Sequence, residues 1–197
     1  MLKRIAVAAA IVAAAAGVGT AVSANGDSTS RSGPPAAADF PSAPGNLARF
    51  SALKSARTSA DALPDALHPE SLEVDTSTSR KITSRPAGSA WITADDKLTC
   101  LSVQPSGGGG TASCHSTYSV PHGFGYTTGD ASEGAVTVAG VVPDAVDQVV
   151  VHIKGAADQK VPVSRNGYIA EVKGSPTSVS YTDASGEHSW PLAAFNG

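Results

Sequence analysis

The sequence predicts a mainly β protein, an antiparallel sandwich or open barrel, with short N-terminal helices and a disordered tether. Three observations lead there. The second half of the chain is a series of short apolar runs separated by turn residues at regular spacing. Aromatic residues make up only 5 %, while 20 glycines and 13 prolines favour turns over long helices. Two cysteines flank a glycine loop inside one of the predicted hairpins.

The first element is a secretory signal over residues 1–24. Lys3 and Arg4 give a short positive start, and an uncharged alanine-rich run follows to Val18. Val22-Ser23-Ala24 places small side chains where a signal peptidase accepts them, so cleavage is expected after Ala24. An uncleaved anchor would need about 20 strongly apolar residues. This run is rich in alanine and broken by Gly17 and Gly19, which makes it a poor membrane span. Loss of Lys3 and Arg4 leaves 12 basic against 17 acidic residues, taking the net charge from −3 to −5. Such a chain lacks the basic footprint of a nucleic-acid binder, and no membrane span is expected after cleavage.

Residues 25–46 are dominated by Ser, Pro and Ala, with too few apolar side chains to offset the entropy of ordering, and read as a disordered tether. Residues 47–88 read as a short helical arm. Leu47, Phe50 and Leu53 recur at spacings of three behind Asn46 as a cap. Ser59–Leu63 and Pro64–Leu67 suggest further turns, and Asp75 caps a last short helix reaching Ile82.

Residues 89–197 read as the β-rich domain. Ala90–Thr93 and Leu98–Val103 form a hairpin, and Ala112–Cys114 returns after the glycine loop. Further strands are expected at 135–142, 148–153, 161–164, 168–172, 178–181 and 188–191. Asn166-Gly167 carries the strongest hairpin signal, since a type I′ turn needs positive φ at both central residues. In an exported chain the even pair Cys100 and Cys114 reads as a disulfide.

In this order the residues resemble a group of uncharacterised secreted actinobacterial proteins. The resemblance rests on Phe50-Ser51-Ala52-Leu53 and Arg57–Pro64 with its Asp61-Ala62-Leu63-Pro64 segment. It continues through Ala90-Trp91-Ile92, the paired cysteines, Gly140–Val146, Val161-Pro162-Val163, Asn166 and Tyr168-Ile169-Ala170. It implies export and a β-rich fold, and brings no activity with it. Where glycine is expected before the final valine of the Val-Pro-Asp turn, this chain has Ala145.

The residues offer little chemistry. Cys100, Cys114, His115 and His122 suit zinc by ligand type, but short Cys-x-x-Cys spacing is missing and a disulfide competes for both sulfurs; no metal and no cofactor are expected. Ser106–Gly110 lacks the Lys-Ser/Thr of a phosphate loop. His152 and His188 alternate on strands as surface residues. Tyr118, His122, Phe124 and Tyr126 lie among glycines. They read either as a recognition loop or, the favoured reading, as plugs for a thin core. The expectation is therefore an exported non-enzymatic binding or structural protein, secreted or in the cell envelope, with a partner there. The alternative is an extracellular hydrolase using His115 or His122.

Overall fold

The computed structural model describes residues 47–67, 74–129 and 134–192. The signal and tether readings lie outside these residues. Among the described residues the fold is antiparallel β throughout, with eleven strands in three sheets and no closed barrel. The first sheet is a meander of β1 (Arg80–Arg85), β2 (Gly88–Ala94), β3 (Leu98–Pro105) and β4 (Thr111–Ser116). The second holds β5 (Phe124–Thr128), β6 (Ala135–Val141) and β9 (Gly167–Lys173), with β6 central. The third runs in the order β11 (Gly186–Pro191), β10 (Ser175–Asp183), β7 (Gln148–Lys154), β8 (Gln159–Pro162).

The second sheet lies between two cores, and the sequence of β6 shows why. Alternate side chains of a strand point to opposite faces. Val136 and Val138 pack with Val149, Val151 and Val179 of the third sheet. Ala139 and Val141 pack the other way, with Ile92, Leu101 and Val103 of the first. A strand covered on both sides needs a nearly continuous apolar run, which Ala-Val-Thr-Val-Ala-Gly-Val provides.

Gly125 and Gly140 stand opposite each other on β5 and β6, and Gly140 stands opposite Tyr168 on β9. The fully buried Tyr168 ring lies across both glycines. A Cβ at Gly140 would come within 2.1–2.4 Å of its ring and hydroxyl, and one at Gly125 within 2.2 Å of the hydroxyl.

The disulfide joins Cys100 and Cys114, directly opposed on β3 and β4, so the expected staple is present. The chain-entropy model gives such a closure about 3 kcal/mol. Reduction, or a Cys100→Ser/Cys114→Ser pair, is expected to lower Tm by roughly 10 °C. Calorimetry with and without reductant checks this.

The segment read as an arm is a single helical turn, α1 (Ser51–Lys54), followed by 3-10 turns at Ser59–Asp61 and Asp65–Leu67. Phe50 and Ala52 are buried in the first core, with Leu47 and Leu53 packed at its edge, so the predicted apolar face is real although the helix is short. Leu63 and Leu67 cover Trp91 on the outward face of the first sheet. Asp75 caps the turn Thr76–Thr78 by accepting from the Ser77 N–H at 2.9 Å. The chain then extends into β1 instead of staying helical to Ile82, because Ile82 is drawn into the core and the Lys81 N–H is held by Asp61.

Two buried polar side chains fasten this segment to the sheets. Asp61 is fully buried. It accepts from the Thr58 N–H, the Thr58 hydroxyl and the Lys81 N–H, each at 2.8 Å, with the Arg165 guanidinium 3.5 Å away. Asn166 accepts from the Ala52 N–H at 2.9 Å and donates to the Val142 carbonyl at 3.1 Å and to Asp144 at 2.9 Å. Asp144 in turn accepts from the Ser51 N–H at 2.9 Å.

Asn166 does this from an unexpected place in its turn. Positive φ falls on Arg165 (49°) and Asn166 (69°), and Ser164 and Gly167 exchange both backbone hydrogen bonds around them. The type I′ turn is thus centred one residue earlier than Asn166-Gly167. Gly167 is required for another reason: a Cβ there would lie 2.6 Å from the Ile82 side chain. Among the described residues, Ala145 is the other non-glycine residue with positive φ, at 68°. A side chain in that region costs about 1–2 kcal/mol. Freeing the unfolded chain with glycine returns part of that. Ala145→Gly is therefore expected to raise stability by about 0.5 kcal/mol, read as a higher urea midpoint with unchanged slope.

Candidate functional site

The four residues of the predicted recognition loop part company in the fold. Phe124 is buried in the first core. Tyr126 is half-buried, and its hydroxyl donates to the carbonyls of Leu101 (3.2 Å) and Thr111 (3.0 Å), tying β5 to β3 and β4. Burial pushes its phenol well above the ordinary range. These two behave as plugs, whereas Tyr118 and His122 face outward.

His115 packs its ring on Phe124 at 4.5 Å and shares a 3.3 Å hydrogen bond with the Ser113 hydroxyl. Burial lowers its pKa. Among the described residues neither His115 nor His122 hydrogen-bonds a carboxylate through its ring. Neither one therefore completes a Ser–His–acid series. Both sulfurs near His115 are taken up in the disulfide.

His122 instead joins a cluster of rings that closes one rim of the second core. Pairing of β10 with β11 sets Tyr181 opposite His188 and Val179 opposite Trp190. His188 and Trp190 thus share the inward face with Tyr181, where the alternation alone suggested a surface histidine. His122 stacks on His188 with centroids 4.4 Å apart and planes 19° apart. Tyr181 lies 4.9 Å from His188 and meets Trp190 edge-on at 5.8 Å. The Tyr181 hydroxyl donates to the His122 carbonyl at 2.9 Å, fixing the loop over the rings. Burial, with the neighbouring Asp183 charge, pushes the Tyr181 phenol up to about 12.

Asp183 fastens the far side of this cluster. Its Oδ1 accepts from the Ser185 hydroxyl (2.6 Å) and N–H (2.7 Å), and these bonds hold its pKa down to about 2. The same oxygen meets His188 Nε2 at 3.1 Å, and that nitrogen also meets the Ser185 hydroxyl at 2.9 Å. Burial, and then the charges of His188 and Arg49, lower the His122 pKa against an opposing pull from Asp183. A histidine whose folded pKa is depressed binds its proton more readily unfolded. Its contribution to stability is therefore full at neutral pH and falls as the pH drops below the ordinary value near 6.5. Acid is expected to loosen the His122–His188 stack, which histidine NMR shifts across pH 5–8 would read.

A second histidine cluster lies on the outward face of the third sheet. His152 Nδ1 is 3.0 Å from Asp158 Oδ2, and its Nε2 is 2.8 Å from the Ser180 hydroxyl. The sequence offered no local sign of this, because β7 pairs with β10 across two intervening strands.

Comparison with known proteins yields no matching family model, curated protein or solved structure. Among the described residues, no helix is long and apolar enough to cross a membrane.

Proposed function

We propose that this is an exported protein that works by binding, as a structural or adhesive component outside the cytoplasm, and that His122 and its ring cluster are the contact surface. The observation that carries the reading is the His122–His188 stack continued by Tyr181 and Trp190. An outward ring held by a backbone hydrogen bond loses little conformational entropy on contact, which is what binding surfaces reward. The signal pattern and the Cys100–Cys114 disulfide support an address in an oxidising compartment.

Two measurements test the proposal. The chain recovered from culture supernatant or envelope should begin at Asn25; intact Met1 in the membrane fraction would argue against export of a cleaved chain. Retention on purified cell-wall sacculi should fall at least tenfold in His122→Ala while the unfolding free energy from urea titration stays within about 1 kcal/mol of the parent. Undiminished retention in that variant would remove His122 from the contact surface.

A further inference from the structure

We infer that Ser180 is an activated nucleophile, and that Asp158, His152 and Ser180 form an acyl-transfer site for carboxylic esters, distinct from the ring cluster. The order of contacts is what distinguishes these three residues. Asp158 meets Nδ1 and Ser180 meets Nε2, so one imidazole bridges acid and hydroxyl through different nitrogens. An ionised carboxylate only accepts, which makes Nδ1 the donor; in the neutral ring Nε2 is then the acceptor, and the Ser180 hydroxyl donates to it. That is the arrangement in which a serine can lose its proton as it attacks.

The Asp183–Ser185–His188 group has the same three residue types and lacks this order. There both partners meet Nε2, so the ring cannot receive the serine proton while donating to the acid. Composition is equal in the two clusters, and geometry separates them.

The elements fix the site firmly. Val149, Val151 and Val179 point into the core, which turns His152 and Ser180 to the opposite face of β7 and β10. Asp158 comes from the turn that connects β7 to β8, with half of its side chain exposed (51 %). Ser178 stands opposite His152, and Ser189 opposite Ser180, so two further hydroxyls flank the place where an ester carbonyl would lie. The backbone N–H groups of β10 are taken up in ladders on both sides, which leaves side chains such as these to donate to a developing oxyanion.

The step balances with water as the only co-reactant. Ser180 Oγ bonds to the ester carbonyl carbon while its proton passes to His152 Nε2. The carbon–alkoxy bond breaks, and the alcohol leaves with that proton. Water then attacks the acyl-serine, its proton going to Nε2 and from there to Oγ as the acyl–Oγ bond breaks and the acid departs. Asp158 stays ionised, orienting His152 and stabilising its charged form.

The experiment uses the purified secreted chain with its disulfide intact, treated with diisopropyl fluorophosphate and, separately, with 4-nitrophenyl acetate. One phosphoryl group per chain is expected at Ser180 by peptide mass spectrometry, with loss of fluoride, together with a burst of nitrophenolate. Ser180→Ala should abolish both. His152→Ala should slow labelling about 100-fold, the scale of a lost general base. Asp158→Asn lies on an exposed turn where folding is safe, and should slow labelling at least tenfold and alter its pH profile. An unlabelled folded chain, a label on Ser113 or Ser185 instead, or an unchanged rate in Asp158→Asn would each overturn the inference. Wall retention is unaffected by any of these outcomes, so the binding proposal stands or falls separately.

Discussion

Asp61→Ala is expected to cost about 3 kcal/mol or more, and to release residues 47–67 from the sheets before the sheets themselves unfold. The carboxylate is fully buried and takes three hydrogen bonds at 2.8 Å. Alanine would leave the Thr58 and Lys81 N–H groups without their acceptor, and each lost hydrogen bond to a charged group costs about 1.5–3 kcal/mol. The Arg165 guanidinium would lose its counter-charge as well. Urea unfolding reads the total, and limited proteolysis reads the locality: early cuts should fall between Ser51 and Leu67. Loss of the whole fold in a single step, with no early cuts there, would contradict the expectation.

The same residue sets an acid dependence. Burial alone would push the Asp61 carboxyl up, but the Thr58 and Lys81 N–H groups, the Thr58 hydroxyl and Arg165 outweigh it, and the net shift is downward from 3.8. A carboxylate with a depressed folded pKa contributes stability that is fully present above its unfolded value. That contribution is lost as the pH falls through the folded one. The parent should therefore lose stability below about pH 4 more steeply than Asp61→Ala does.

Gly140→Ala is the second large effect, at about 3 kcal/mol. The added carbon would come within 2.1–2.4 Å of the Tyr168 ring and hydroxyl. The ring cannot yield, because it is fully buried and the Trp190 indole nitrogen lies beside its hydroxyl over Gly125. A double-mutant cycle isolates the cause. Gly140→Ala with Tyr168→Ala should be less destabilised than the two single changes added together, since the second change removes what the first collides with. Simple additivity would mean that the slot does not explain the glycine.

Which parts of this molecule could be read from its residues follows from the range of the forces involved. Strands β2, β3, β4 and β6–β11 announce themselves by local alternation and by the turns between them. β5 does not. Phe124-Gly125-Tyr126 looks like a turn because Gly125 breaks the pattern, yet that glycine is there to admit a ring from β9, more than 40 residues away. β1 was hidden similarly, by Asp75 capping a turn that ends before the strand begins. Cys100 and Cys114 could be paired from spacing and compartment because they flank a single hairpin loop. His152 and Ser180 could not, since their meeting depends on β7 passing over β8 and β9 to pair with β10. His188 turns inward because its strand is an edge whose inner side ends in rings instead of valines. Phe50, Asp61, Asp144 and Asn166 gather where the leading segment meets the sheets.

That fastening also governs when the chain can fold. Ser51 and Ala52 find their partners 93–115 residues downstream, at Asp144 and Asn166. Phe50 shares its core with Val141 and Ile169. A chain emerging from the ribosome N-terminus first therefore cannot complete its first core until residue 169 is free. At about 5–20 residues per second that is a wait of roughly 6 to 24 s. Throughout that interval the leading segment stays exposed to chaperones, and the finished molecule forms late.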